Sequence, residues 1–429
     1  MPEIQNSIAA IEPTYPTSAV PPVATPRLFA RTIGPYARLP VPVLILCLGS
    51  FINRAGAFVM LFMTIYVSEH LGYGVTFATN CFGVFGAGSI ISSLAGGQLA
   101  DRFGRKPIML LALFGGAATL VSMSVVESRW GILSLMFLFS LTSDLYRPAA
   151  SAMVGDLVDT KERPLAFGLM YIAFNLGFAF AAPVGGFLAE HSFRWLFWGD
   201  AITTSAYGLM IVFLIRETLP AHKATSTNQP ATPQVGWLEA VRHISHDTTF
   251  LLFSLATLLT SIVFMQGFST LPIHLTQLGF SKEMIGWLLA SNGILIVVLQ
   301  IPITSMLNRF HRVLVILAGE LLIAVGFGLT TFAVTGSMLL LTVIIWTIGE
   351  VVQAAFKQSM VADLAPVTMR GRYMGVFALC HAVGMTGGVP VGGQILDRFG
   401  PGVLWPACFV LAMMASVVYV LIYVRRVER

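Results

Sequence analysis

The chain has 429 residues, 56% hydrophobic and only 10% charged, with a mean hydropathy of +0.81. A water-soluble fold with that balance would expose more apolar surface than it can tolerate, so the composition excludes an ordinary globular protein and points to a polytopic membrane protein. The net charge of +5 is no sign of nucleic-acid binding, because Lys and Arg fall in short clusters between apolar runs, with no long basic tract and no zinc-ligand spacing.

Residues 1–38 carry Pro, Ser and Thr without a basic start leading into an apolar block, and read as a disordered tail and not as a cleaved signal peptide. Twelve apolar runs follow, each near the roughly 20 residues that a hydrocarbon core requires. They lie at 41–68, 75–99, 107–126, 130–155, 164–189, 195–215, 248–275, 284–307, 313–333, 337–362, 372–396 and 402–424. The expected architecture is all-α, with a six-helix bundle over 39–215, a polar linker over 216–247, a second bundle over 248–424 and a short end at 425–429. In the linker, GWLEAVRHI sets Trp237, Leu238, Val241 and Ile244 on one face, which suits either a short interfacial helix or a plain turn. With the N-terminus inside, eighteen of the 25 basic residues face the cytoplasm and four (Arg129, Arg194, Lys282 and Arg398) face outside, which makes both termini cytoplasmic.

The two bundles repeat. MVGDLVDTKERPLAFG at 153–168 aligns with MVADLAPVTMRGRYMG at 360–375, an offset of 207. The same offset brings Pro183, Gly185 and Gly186 onto Pro390, Gly392 and Gly393, and Leu71-Gly72 onto Leu278-Gly279. One shift held across most of the chain implies two parallel six-helix units about a pseudo-two-fold axis, with a cavity between them near the midplane.

Catalytic equipment is missing. Cys47, Cys81, Cys380 and Cys408 sit in apolar runs without CxxC spacing, and no Walker loop, HExxH or GxSxG occurs. An enzyme is not expected, nor a metal or cofactor.

At 96–107 the chain reads GGQLADRFGRKP. This resembles the loop between spans 2 and 3 of the major facilitator superfamily, G-x-x-x-D-R-x-G-R-R/K, with matches at Gly97, Asp101, Arg102, Gly104, Arg105 and Lys106. RPAASAMVGDLV, NLGFAFAAPVGG and RGRYMG are similar to the bacterial drug:proton antiporter branch. The departures are Ala182 where that branch has Gly before its Pro, Phe178 where it has Gly, and no Gln-Gly after Arg147. FINRAGAF is similar to proton-coupled peptide transporters by its Arg alone, without their paired glutamates.

The resemblance implies that the loop motif is a gate part, with Asp101 facing the N-terminal end of span 11 and with Asp156, Arg163, Arg370 and Arg372 as partners. A carboxylate at a helix start contributes about 0.3–1 kcal/mol, enough to bias a two-state equilibrium. Gly177, Ala181 and Gly185 in span 5, and Gly384, Gly388 and Gly392 in span 11, recur every four residues and permit close helix approach. Pro183 and Pro390 are expected to bend those helices, for rocking or simply for packing.

Four charges lie deep in apolar runs: Arg54 in span 1, Asp144 and Arg147 in span 4, and Glu350 in span 10. Left in lipid they would cost on the order of 10–14 kcal/mol together, so they must meet water, one another or a ligand. The resemblance implies that spans 1, 4, 7 and 10 line a central cavity. Asp144 and Arg147, three apart, are expected to share a helical face and partly neutralise each other. Glu350 has no basic neighbour in IIWTIGEVVQAAF, and a desolvated lone carboxyl suits a proton carrier. It ranks first as proton-coupling residue, then Asp144, then His381. Glu320 and Lys357, nearer the cytoplasmic ends, are expected to gate or to snorkel outward. Asn53, Tyr146, Phe58, Phe264 and Met265 complete the expected cavity wall.

The function expected is proton-driven export of amphipathic drug-like molecules by alternating access across a bacterial inner membrane, by a monomer that needs only the proton gradient, small-molecule solutes and the lipid bilayer. The alternatives are a proton-coupled importer or carrier of an anionic metabolite, and a lipid or glycolipid exporter.

Overall fold

Inside hydrocarbon every backbone N–H and C=O must be bonded within its own segment, so apolar runs of this length fold as helices. The computed structural model describes residues 39–159, 162–218, 237–366 and 369–427. The N-terminal tail, most of the linker and the side chains of Trp237, Leu238, Val241 and Arg370 lie outside the described residues.

The first half contains α1 (Val41–Ala55), α2 (Phe58–Ile65), α3 (Val75–Phe103), α4 (Arg105–Met123), α5 (Arg129–Ser143), α6 (Tyr146–Leu157), α7 (Arg163–His191) and α8 (Phe193–Leu214). A helix in the linker stretch, α9 (Trp237–His246), precedes the second half. That half contains α10 (Thr248–Gln277), α11 (Lys282–Leu307), α12 (Arg312–Leu329), α13 (Gly336–Leu364), α14 (Arg370–Val383), α15 (Val389–Phe399) and α16 (Pro401–Val427). No strand occurs among the described residues.

Eleven helical stretches among the described residues are long and apolar enough to cross a membrane. The stretch expected as the fourth crossing is instead two shorter helices, α5 and α6, interrupted at Asp144–Leu145. Pro148 explains the place: it lacks the N–H that would bond the carbonyl four residues back, that of Asp144, and its ring crowds that oxygen. Pro390 likewise follows a π-helical turn at Gly384–Gly388. Pro183, by contrast, sits inside a continuous α7.

The first crossing is also interrupted. Gly56 (φ −99, ψ 0) and Ala57 (φ −74, ψ 57) separate α1 from α2. Thr203 of α8 packs so closely that a Cβ on Gly56 would come 1.8 Å from its Oγ1.

Each short turn reverses the chain, giving a linker side, with the turns near 104, 160 and 310, and a far side, with those near 72, 192, 279 and 400. The halves are fastened together at the far side, where α7 meets α11 and α3 meets α15. Glu190 Oε2 accepts from the Lys282 amide at 3.0 Å, and Asp397 Oδ2 from Thr76 Oγ1 at 2.6 Å. The Thr276 hydroxyl donates to Glu69. Gly286 lies so near Ala182 that a Cβ would stand 2.4 Å from its carbonyl oxygen. On the linker side the positions of Gly97, Gly168 and Gly375 have no atom within 4 Å of where a Cβ would be.

Candidate functional site

The small residues of α7 bring it against the first crossing: Gly177 packs on the Arg54 stretch and Gly185 on Phe58 and Phe62. That approach sets Phe174, one turn before Gly177, beside two guanidinium groups. Arg54 Cζ lies 4.1 Å from the Phe174 ring centroid and Arg147 Cζ 5.8 Å. Cations over a ring gain about 0.5–2 kcal/mol, the upper end where water is excluded. The two arginines, with Asn53, Tyr146, Tyr171 and Phe174, line a cavity of about 210 Å³ between α1, α6 and α7.

This cavity has a fixed polar back wall. The Tyr146 and Tyr207 hydroxyls are 2.7 Å apart, and Tyr207 also donates to the Leu46 carbonyl at 3.2 Å. Asn53 Nδ2 donates to Thr204 Oγ1 at 2.9 Å. A larger cavity of about 680 Å³ lies between α7, α11 and α13, lined by Phe167, Tyr171, Gln300, Thr304, Asn308 and Gln358 among others. Phe167 and Tyr171 line both spaces, so the two adjoin across α7.

Glu350 stands half-buried on α13 in the opposite half. Its Oε2 accepts from Asn292 Nδ2 at 2.9 Å, and the same amide donates to Thr347 at 3.1 Å. Among the described residues it forms no ion pair. Tyr171 lies within its electrostatic reach.

Several expectations need correction. Asp144 and Arg147 do not pair, because the helix is interrupted between them and Arg147 turns toward Phe174. Asp144 remains within electrostatic reach of Arg54. Phe58 lies in the core against Gly185 and Gly199, away from both cavities. Phe264 meets the Phe268 and Trp346 rings edge to face, and both it and Met265 pack against the core. Neither lines the two cavities. His381 is exposed, with Nδ1 3.2 Å from the Phe377 carbonyl.

Glu320 and Lys357 do not snorkel. They form a buried ion pair at 3.2 Å, and Thr260 donates to Glu320 at 2.7 Å. Each charge compensates the other, and losing either partner would leave an uncompensated charge in the interior.

The loop motif is tied within its own half. Arg105 pairs with Asp101 at 2.7 Å and reaches Asp156 at 3.3 Å, while Arg163 donates to the Gly155 carbonyl at 2.8 Å. Asp101 is otherwise exposed, and the Arg370 side chain, part of the partner set expected for it, lies outside the described residues. Gly104 has φ 105, a left-handed conformation that other residues rarely adopt. Beyond it Glu217 accepts from the Arg105 and Lys106 amides at 3.1 and 2.9 Å, and so caps α4. Lys106 Nζ donates to the Val212 and Ile215 carbonyls at 2.8 Å.

Sequence reading missed Glu217, Phe174, Tyr171, Asn292 and Asp200. Asp200 is a buried carboxylate on α8 that accepts from the Val59 amide just past the Gly56–Ala57 interruption.

The sequence profile of the Major Facilitator Superfamily matches residues 46–281 and 268–429. A Na(+), Li(+), K(+)/H(+) antiporter of Planococcus maritimus is 27% identical over 364 residues, covering 78% of this chain and 84% of the relative. The multidrug resistance protein MdtH of Salmonella typhimurium is 27% identical over 305 residues, covering 70% and 73%. An uncharacterized MFS-type transporter, YqjV of Bacillus subtilis, is 26% identical over 345 residues, covering 80% and 82%. Among solved structures, a POT family transporter in complex with 5-aminolevulinic acid superposes with a TM-score of 0.72 at 20% identity, covering 90% of this chain and 96% of that one. That likeness speaks for the fold alone.

Proposed function

Since the chain belongs to the Major Facilitator Superfamily, we propose that it is a proton-coupled exporter of amphipathic small molecules, working by alternating access across a bacterial inner membrane with the linker side in the cytoplasm. The observation that carries this reading is the placement of the charges that lie deep in the apolar runs. Arg54 and Arg147 face a small cavity in one half, and Glu350, held by Asn292 and without a cation, stands in the other. The surplus of Lys and Arg on the linker side supports the orientation. The antiporter and MdtH relatives support export in exchange for protons.

In this mechanism solute enters from the cytoplasmic side through the larger cavity and packs against Phe167, Tyr171 and Phe174. A proton taken up by Glu350 from outside competes with bound solute, and the difference in affinity between the two facing states drives the exchange. A lone carboxyl suits this role, because protonation removes its charge without stranding a buried cation.

A second reading has its own observation. Two guanidinium groups on one ring, with no acid in ion-pair distance of either among the described residues, would clasp a carboxylate or phosphate, which favours an anionic solute. One experiment separates them: purified protein in liposomes with a pH dye, offered ethidium or carboxyfluorescein under either gradient polarity. Glu350→Gln is expected to abolish pH-driven ethidium movement while sparing exchange without a gradient. Uphill export by that variant would overturn the assignment. Carboxyfluorescein movement lost in Arg54→Ala would favour the anionic reading.

A further inference from the structure

We propose that Asp200 is a second proton-exchanging carboxyl of this transporter, acting through Arg54 and the interruption in the first crossing. The inference rests on the proton-coupled reading above and adds to Glu350 a site in the opposite half.

Asp200 is 4% exposed. Its Oδ2 accepts from the Val59 amide and its Oδ1 from the Thr204 hydroxyl, each at 3.4 Å. Bonds that long are weak, and among the described residues Asp200 forms no ion pair. A carboxylate in such a place is held by too little to exclude its protonated form.

The groups facing it can be named element by element. From α1 comes Arg54, which acts on it electrostatically. From α2 comes only the Val59 amide, and from α8 itself Thr204. The helices α4 and α7, which also pack on α8, carry their charged groups near their ends: Arg105 and Lys106 on one, Arg163, Glu190 and His191 on the other. Arg54 is thus the cation on which an ionised Asp200 depends. Arg54 is itself shared, drawn by Asp144 and Asp200 and repelled by Arg147.

Val59 is the second residue of α2, so its amide is one of the four that a helix start leaves without an intrahelical partner. Ionised Asp200 therefore holds two things at once: the start of α2, through that amide and the helix dipole, and the guanidinium of Arg54. A proton on Asp200 weakens both. The α1–α2 joint loosens, and Arg54, which already lies over Phe174 at the small cavity, loses the attraction that Asp200 exerts on it. Proton uptake is in this way transmitted to the solute site from behind, along the helix that carries it.

The test is infrared difference spectroscopy of the full chain in liposomes, without solute, on stepping from about pH 9 to about pH 6, which stays above the range where ordinary aspartates take up protons. Heavy-carbon labelling of the aspartate carboxyls separates their C=O bands from those of glutamates. An aspartyl carboxylic-acid band is expected to grow on acidification, to vanish in Asp200→Asn, to be replaced by a glutamyl band in Asp200→Glu and to persist in Glu350→Gln. In Arg54→Gln it is expected to appear over a different pH range, displaced by roughly one unit or more. No aspartyl band in the labelled wild-type protein, or one that survives Asp200→Asn, overturns the proposal; the wild-type measurement and Asp200→Glu decide the matter if Asp200→Asn does not fold. An unchanged pH range in Arg54→Gln overturns the route through Arg54. Failure here leaves the transport assay of Glu350→Gln unaffected, so the two readings fail separately.

Discussion

The two ends of the seam between the halves are built from the same kinds of residue and use them in opposite ways. At the far side, glycines are pressed against backbone from the other half, as Gly286 is against Ala182. Three carboxylates there, Glu69, Glu190 and Asp397, each accept from a neutral donor across the seam. At the linker side, Gly97, Gly168 and Gly375 face open space, and among the described residues the charged motif at the α3–α4 junction bonds within its own half, through Asp101, Asp156 and Glu217. The lesson is that glycine spacing marks a surface able to make close contact, not a contact already made. Under alternating access the linker-side glycines are where the halves would meet once the far side has parted.

Gly286→Leu attacks the closed end. A side chain where a Cβ already stands 2.4 Å from a carbonyl oxygen overpacks the seam by about 1–3 kcal/mol. The population with the far side shut is then expected to fall roughly tenfold or more. A cysteine at Ser151 in the small cavity, in a background without the native cysteines, should lose reactivity toward an impermeant thiol reagent added on the linker side. Unchanged reactivity would mean that this contact does not hold the far side closed.

Gly97→Leu and Gly375→Leu probe the open end. Neither should alter thermal stability by more than about 0.5 kcal/mol, since both positions have room, yet each should slow transport about tenfold by obstructing the other state. Normal transport in both would show that the linker side closes elsewhere. The smallest effects belong to the carboxylates. Glu69→Gln, Glu190→Gln and Asp397→Asn keep an acceptor oxygen but lose its charge, and each should weaken far-side closure by about 0.5–1.5 kcal/mol. The same Ser151 cysteine assay reads them, and a triple variant no weaker than a single one would remove these bonds from the account.

The helices were legible because hydrocarbon leaves an apolar run little choice of structure. Interruptions were less so. Pro148 follows an interruption at Asp144 while Pro183 sits inside a continuous α7, so a proline in an apolar run does not by itself tell where a helix is interrupted. Arg54, Arg147 and Glu350 announced themselves, since charges deep in apolar runs are expensive and need a reason. Asp200 in FWGDAITT and Asn292 in LLASNGIL carried the same kind of signal, a polar group inside an apolar run. Phe174 and Tyr171 gave none, being single members among 31 Phe and 10 Tyr. Nor does a separation of 37 positions tell that Glu320 meets Lys357.

That last pair bears on how the protein is made. Glu320 on α12 and Lys357 on α13 belong to consecutive helices joined by a short turn, and Arg312 pairs with Asp363 at the other end of the same two. Threaded singly into a bilayer, a mid-helix ion costs about 3 kcal/mol. Entering side by side, the two neutralise each other before either meets lipid. Biogenesis of the second half should therefore pass through a paired hairpin, with α12 waiting in the insertion machinery until α13 has emerged from the ribosome.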